Sequence, residues 1–186
     1  MSYALSRSVL SSTENGSGVG GTSGELEVPQ NISLEGGNMS YREAGKALGQ
    51  KYYQLGVNEE NEYQGAIVRD PNNPGKYGYT TATHAPKGVT IVDPSKYIAA
   101  VQGAGFEIVG WSHTHFDGMM NFSGNDMNFA HRSTTIFLTN ANGDTSMLTR
   151  SHFLDAVKSA GYSGTSAVRS FIRDHQEDGI PGVPIP

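Results

Sequence analysis

The chain contains no cysteine, which removes disulfide frameworks, thiolate metal sites and cysteine nucleophiles together. It has no run of about 18 apolar residues, the length that a membrane-crossing helix needs. Basic residues form no block either: the 13 lysines and arginines are scattered, and the formal net charge is −5. A nucleic-acid surface usually shows a basic patch, so neither a nucleic acid nor a membrane is expected as a partner. Residues 1–10 lack the continuous apolar core of a secretory signal, and no signal peptide is expected.

What the chain has in excess is glycine, 24 of 186 residues, against a hydrophobic share of 36%. Much of the glycine lies early. Residues 11–24 are a Gly/Ser-rich stretch with linker composition. The expected organisation is therefore a flexible leader over 1–38, one domain over 39–178 and a proline-rich tail over 179–186.

Local signals place the elements. Ser40-Tyr-Arg-Glu43 has the form of a capping box. Ala44, Leu48, Tyr52 and Leu55 follow at helical spacing, with Gly56 suited to the residue just past the helix. Glu62 to Arg69 reads as a strand, Asp70-Pro-Asn-Asn-Pro-Gly75 as a turn, and Lys76 to Thr83 as the returning strand. A short strand over Val89–Val92 leads into Asp93-Pro94, an N-cap followed by proline at the first helical position, and a helix to Gly103. Phe106 to Trp111 is an apolar strand. Ser133–Thr139 and Thr145–Thr149 form a hairpin around Asn140-Ala-Asn-Gly-Asp144, and short helices follow Ser151. This succession predicts an α/β fold, a three-layer-like sandwich of helices around one mixed sheet.

The chemistry concentrates between His113 and Asp126. In an extended strand His113 and His115 project to one side, and Ser123-Gly-Asn-Asp126 has the form of a helix start that sets a hydroxyl beside a carboxylate. Two neutral imidazoles and a carboxylate suit a catalytic Zn²⁺ with the fourth position left to water, whose pKa the ion lowers toward about 7. His113, His115 and Asp126 are thus the candidate metal ligands. A proton acceptor must come from another element. Glu62, at the head of its strand, is the candidate, while Glu59 and Glu60 read as solvated helix-end charges. Ser123 is placed to donate to an oxyanion.

Glu62-Tyr-Gln-Gly65, His113-Thr-His115 and Ser123-x-x-Asp126 together resemble the JAMM signature of the JAB/MPN metallopeptidases, over about residues 40–150. The resemblance implies a JAB/MPN-like (cytidine-deaminase-like) fold, zinc on His113, His115 and Asp126, Glu62 as acid/base and Ser123 as oxyanion stabiliser. Its implied activity is hydrolysis of peptide or isopeptide bonds. One position departs from the pattern: Phe116 stands where the family usually has proline. The Gly110-Trp-Ser-His-Thr-His stretch and the Asn-Gly hairpin are most similar to JAB-like domains of bacterial polymorphic toxins, including Rhs-type effectors. That likeness implies a protein or peptide substrate, a cognate immunity or delivery protein, and a chain made in the cytoplasm and delivered into a target cell.

Two rival readings stand beside this one. His113 or His115 with Asn121 or Asn128 and His131 could imitate the His-Asn-His site of a metal-dependent nuclease toxin. A non-catalytic JAB-like module that binds a partner is the other. Of the remaining histidines, His84 reads as solvent-facing, His131 as a cation favoured at a helix end, and His152 and His175 as surface residues. Asp117 reads as a solvated loop carboxylate and Trp111 as core. Phe116, Met119, Met120 and Phe122 either line a substrate groove or cap the core.

Overall fold

The computed structural model describes residues 23–85, 91–132 and 134–186. In chain order its elements are β1 (Ser23–Glu25), β2 (Leu34–Met39), α1 (Tyr41–Glu59), β3 (Tyr63–Arg69), β4 (Tyr77–Thr80), β5 (Thr83–His84) and β6 (Ile91–Asp93). They continue as α2 (Ser95–Gly103), β7 (Ile108–Thr114), β8 (Asn121–Phe122), α3 (Gly124–His131), β9 (Thr135–Thr139), β10 (Thr145–Leu148), α4 (Arg150–Ser159), α5 (Ala167–Asp174), β11 (Ile180–Pro181) and β12 (Val183–Ile185).

Eight strands form the main sheet in the order β12-β10-β9-β7-β3-β4-β2, with β5 also paired to β3. The β7–β9 pair is parallel and its neighbours β3–β7 and β9–β10 are antiparallel, so the sheet is mixed. Side chains alternate along each strand and give the sheet two apolar faces. Ile67, Tyr79, Phe137 and Met147 meet Ala44 and Leu48 of α1 on one face. Ala66, Val68, Trp111, Ile136 and Leu138 pack on the other with Tyr97 of α2, Met127 of α3, Phe153 of α4 and Phe171 of α5. The expected α/β sandwich around a mixed sheet is what these faces make.

The α1 capping box forms: the Ser40 side chain accepts from the Glu43 amide, and Glu43 Oε2 accepts from the Ser40 amide at 2.7 Å. The helix does not close at Gly56, however. It runs on to Glu59 and ends at Glu60, whose φ of 51° is left-handed and whose N–H bonds the Gly56 carbonyl. Glycines inside α1 serve close approach instead. A Cβ at Gly45 would strike the Phe137 ring and one at Gly49 the Thr139 side chain, so α1 lies directly on β9.

The ends of the chain differ from expectation. Ser23–Glu25 pairs in parallel with β6, and Leu34–Met39 joins the far edge of the main sheet. The flexible leader therefore cannot extend to residue 38; residues 1–22 lie outside the described residues. The tail is likewise structured, since β11 pairs with β8 and β12 with β10. Neither segment carries a clear strand signal. Leu34-Glu-Gly-Gly-Asn-Met39 has two glycines and register shifts in its pairing, and the tail has prolines that cannot donate to a ladder. Pro94 sits at the N-cap of α2 and not at its first helical position, and Asp93 Oδ1 accepts from the Ser95 amide at 2.8 Å. Residues 89–90 of the expected Val89–Val92 strand, and Ser133 of the expected Ser133–Thr139 strand, lie outside the described residues. Among the described residues, no helix is long and apolar enough to cross a membrane.

Candidate active site

Strand β7 carries His113 and delivers His115 just past its end, where the His115 amide continues the pairing by donating to the Thr139 carbonyl at 2.9 Å. The register of β3 on β7 sets Gln64 opposite His113, which brings Glu62 to the same end of the sheet. Thr114, between the two histidines, faces the other way. Its Oγ1 accepts from the Tyr63 amide at 3.0 Å, and the Glu62 amide donates to Asn61 Oδ1 at 3.0 Å. The backbone on both sides of the Glu62 side chain is thereby fixed. Thr114 and Asn61 escaped the sequence reading, although strand alternation alone turns Thr114 away from the imidazoles.

The Ser123 capping box also forms and opens α3. Asp126 Oδ2 accepts from both the amide and the hydroxyl of Ser123, each at 2.9 Å. That same oxygen lies 3.6 Å from His113 Nε2, and Glu62 Oε1 lies 3.7 Å from His115 Nε2. The imidazole centroids are 5.2 Å apart. The five sequence-predicted residues are therefore brought together from three separate segments.

Burial, with the neighbouring His113, pushes the His115 pKa down to about 4. His115 is thus a neutral imidazole near neutral pH. Its Nδ1–H donates to the Met119 carbonyl at 3.3 Å, which leaves the lone pair on Nε2, the tautomer of a metal ligand. Burial raises the pKa of the Glu62 carboxyl, opposed by His113 and reinforced by Asp126 and Asp117. Its side chain is nevertheless 40% exposed, so it sits at the mouth of the site with access to water.

The donor set suits a zinc ion: imidazole nitrogens and a carboxylate, with the 3.6 Å His113–Asp126 spacing near the roughly 3.3 Å edge between ligands of one tetrahedral zinc. Among the described residues, no group of three such side chains is drawn tightly enough to grip an ion as it stands. The residues form two close pairs side by side.

The loop between His115 and β8 is pinned to the β9–β10 turn. Asp117 Oδ1 accepts from the Met119 amide at 2.9 Å, the Asp117 carbonyl from the Ala141 amide at 2.8 Å, and the Gly118 carbonyl from Asn140 Nδ2 at 3.2 Å. Asp117 thus organises the loop. Of the apolar residues here, Phe122 is fully buried while Phe116 and Met119 stay 43% and 60% exposed. A groove of about 510 Å³ runs along the sheet edge by β12 and reaches the rim of the site at Met120.

Several expectations for other residues change. His84 is held by Asn61 Nδ2 at 3.0 Å and lies edge-on to Tyr63, so it is part of the framework behind Glu62. Glu59 is an exposed helix-end residue, as expected, and also accepts from the Tyr63 hydroxyl at 2.6 Å. His131 is no favoured cation, because burial, Arg150 and Arg132 all lower its pKa. Its ring packs against Phe153. The amides of Asn121 and Asn128 are engaged by the carbonyls of Asp178 and Gly124. Trp111 is core, as expected. No protein-family model matches the chain, and no curated protein matches it either.

Proposed function

We propose that the chain is a zinc-dependent hydrolase of peptide or isopeptide bonds, of the JAB/MPN kind that its sequence resembles. One observation carries the reading: Glu62, from a distant strand, lies 3.7 Å from His115 while Asp126 lies 3.6 Å from His113. His113, His115 and Asp126 hold the metal. When bound, a zinc ion supplies a Lewis acid that polarises a carbonyl and acidifies water.

Glu62 does the proton work. Its carboxylate takes the proton of the attacking water at the open mouth of the site and delivers it to the departing amine. Ser123 acts first on Asp126, since its one hydroxyl proton is donated to Oδ2 and a hydroxyl has no second proton to give. Donation to a substrate oxyanion requires that proton to leave Asp126. Exposed Phe116 and Met119 face the substrate side, and the same family resemblance supports a protein or peptide substrate.

The test is a comparison of wild type with Glu62→Gln. Both should hold about one zinc per chain, the stoichiometry of a three-ligand site, and only wild type should create new peptide termini in a cell lysate. A wild-type chain that takes up no zinc sinks the reading.

A further inference from the structure

We propose that the C-terminal segment around Gln176 to Gly182 is a clamp that sets the position of Ser123 and Asp126, with Gly179 and Gly182 as its positioning residues. The inference rests on the zinc-hydrolase reading.

Strand β8 is two residues long and ends immediately before Ser123. The loop ahead of it is pinned to the β9–β10 turn at Asp117 and Gly118, but those bonds do not reach the Ser123 cap. The C-terminal segment does. Ile180 and Pro181 pair with Phe122 and Asn121, and Asn121 Nδ2 donates to the Asp178 carbonyl at 2.8 Å. Ile180 is buried in the same cluster as Phe122. At the other side of the cap, a Cβ on Gly124 would lie 3.2 Å from Gln176 Cγ. Residues on both flanks of Ser123 are therefore held by one stretch of chain.

Two glycines make the fit possible. Gly179 has a φ of +64°, and a Cβ there would come within 2.6 Å of the Phe122 carbonyl oxygen. At Gly182 the demand is for space: a Cβ would run into the Phe122 ring and lie 2.9 Å from the Met147 carbonyl oxygen. Strand β10 cannot yield, because it is paired on both sides. The displacement must go into Phe122. That ring lies 6.4 Å from the His113 ring, edge to face, and its backbone leads directly into Ser123. A side chain at position 182 thus reaches the site twice, through the His113 contact and through the cap that aims Asp126.

The experiment measures zinc affinity by competition with a chromophoric chelator, alongside thermal midpoints. It uses the full chain as wild type, Gly182→Ala, Gly182→Ala with Phe122→Leu, and Val101→Ala. Val101 is a buried residue of α2 and serves as a stability control. At a temperature where all four are folded, Gly182→Ala should bind zinc roughly 10–100-fold more weakly, as loss of a ligand's support does. Val101→Ala should keep wild-type affinity despite its lower midpoint. Trimming Phe122 should recover part of the loss. Wild-type affinity in Gly182→Ala, or an equal loss in Val101→Ala, overturns the clamp alone. A wild type without zinc affinity overturns the functional reading beneath it.

Discussion

His113 Nε2 lies 3.6 Å from Asp126 Oδ2, and that oxygen is also the one that closes the capping box with Ser123. Helix nucleation and the proposed metal ligation therefore converge on one carboxylate. Ser123→Ala should cost about 1 kcal/mol of stability through the lost cap and also weaken zinc roughly tenfold, since Asp126 Oδ2 keeps only the backbone amide of its two bonds to residue 123. Ser123→Thr, which retains a hydroxyl, should spare both. Thermal melts and chelator competition check this; full zinc affinity in the alanine variant would show that the hydroxyl does not orient the ligand.

Zinc that binds only the folded chain must stabilise it, by about 2.7 kcal/mol at a hundredfold excess over the dissociation constant. The thermal midpoint of metal-free wild type should rise on adding zinc. Glu62→Gln should rise equally, whereas His113→Ala and Asp126→Ala should not respond. A response from His113→Ala equal to wild type would place the ion elsewhere.

Phe116 and Met119 protrude beside His115 from a loop fixed by hydrogen bonds. Truncating an exposed side chain changes stability by no more than about 0.5 kcal/mol. Phe116→Ala should accordingly fold as wild type while its KM rises several-fold, with kcat retained, the pattern of lost uniform binding. An unchanged KM for peptide substrates would remove Phe116 from the substrate surface.

Asp70 ties the irregular β2 to the β3–β4 turn. It accepts from the Asn73 side chain at 2.9 Å, the Asn72 amide at 2.8 Å and the Asn38 amide at 2.6 Å, and these bonds, Asn73 foremost, hold its pKa below the ordinary 3.8. A depressed carboxylate stabilises the fold above its unfolded pKa, and this contribution is lost as pH falls through the folded pKa. Asp70→Asn should be less stable than wild type near neutrality, with the gap narrowing below pH 3.8. Denaturant midpoints against pH test it; a constant gap would assign the effect to shape alone.

Gly49 faces Thr139 with no room for a methyl group. Gly49→Ala should destabilise the fold by about 1–3 kcal/mol, the usual cost of overpacking, although alanine favours helices. A melt showing stabilisation would mean that α1 stands further from β9 than described.

The sequence by itself determined whatever is written in short-range spacing. Ser40 with Glu43 and Ser123 with Asp126 announce helix starts because a cap is made within one turn. His113 and His115 share a side because strand period is two residues. Those rules placed α1, β3, β7 and α3, and the candidate ligands upon them. Only the tertiary structure decided what depends on pairing between distant segments. The β3–β7 register brought Glu62 to His115. Packing of α1 on β9 turned its glycines into contact points instead of stops, and the helix cluster set the His131 ring against Phe153. Strands at the sheet edges, Leu34–Met39 and Val183–Ile185, are glycine- or proline-bearing and have no local signature. They are strands because a paired edge accepts them. For the same reason the tail, which by composition is a loose end, holds the residues on which Ser123 and Asp126 depend.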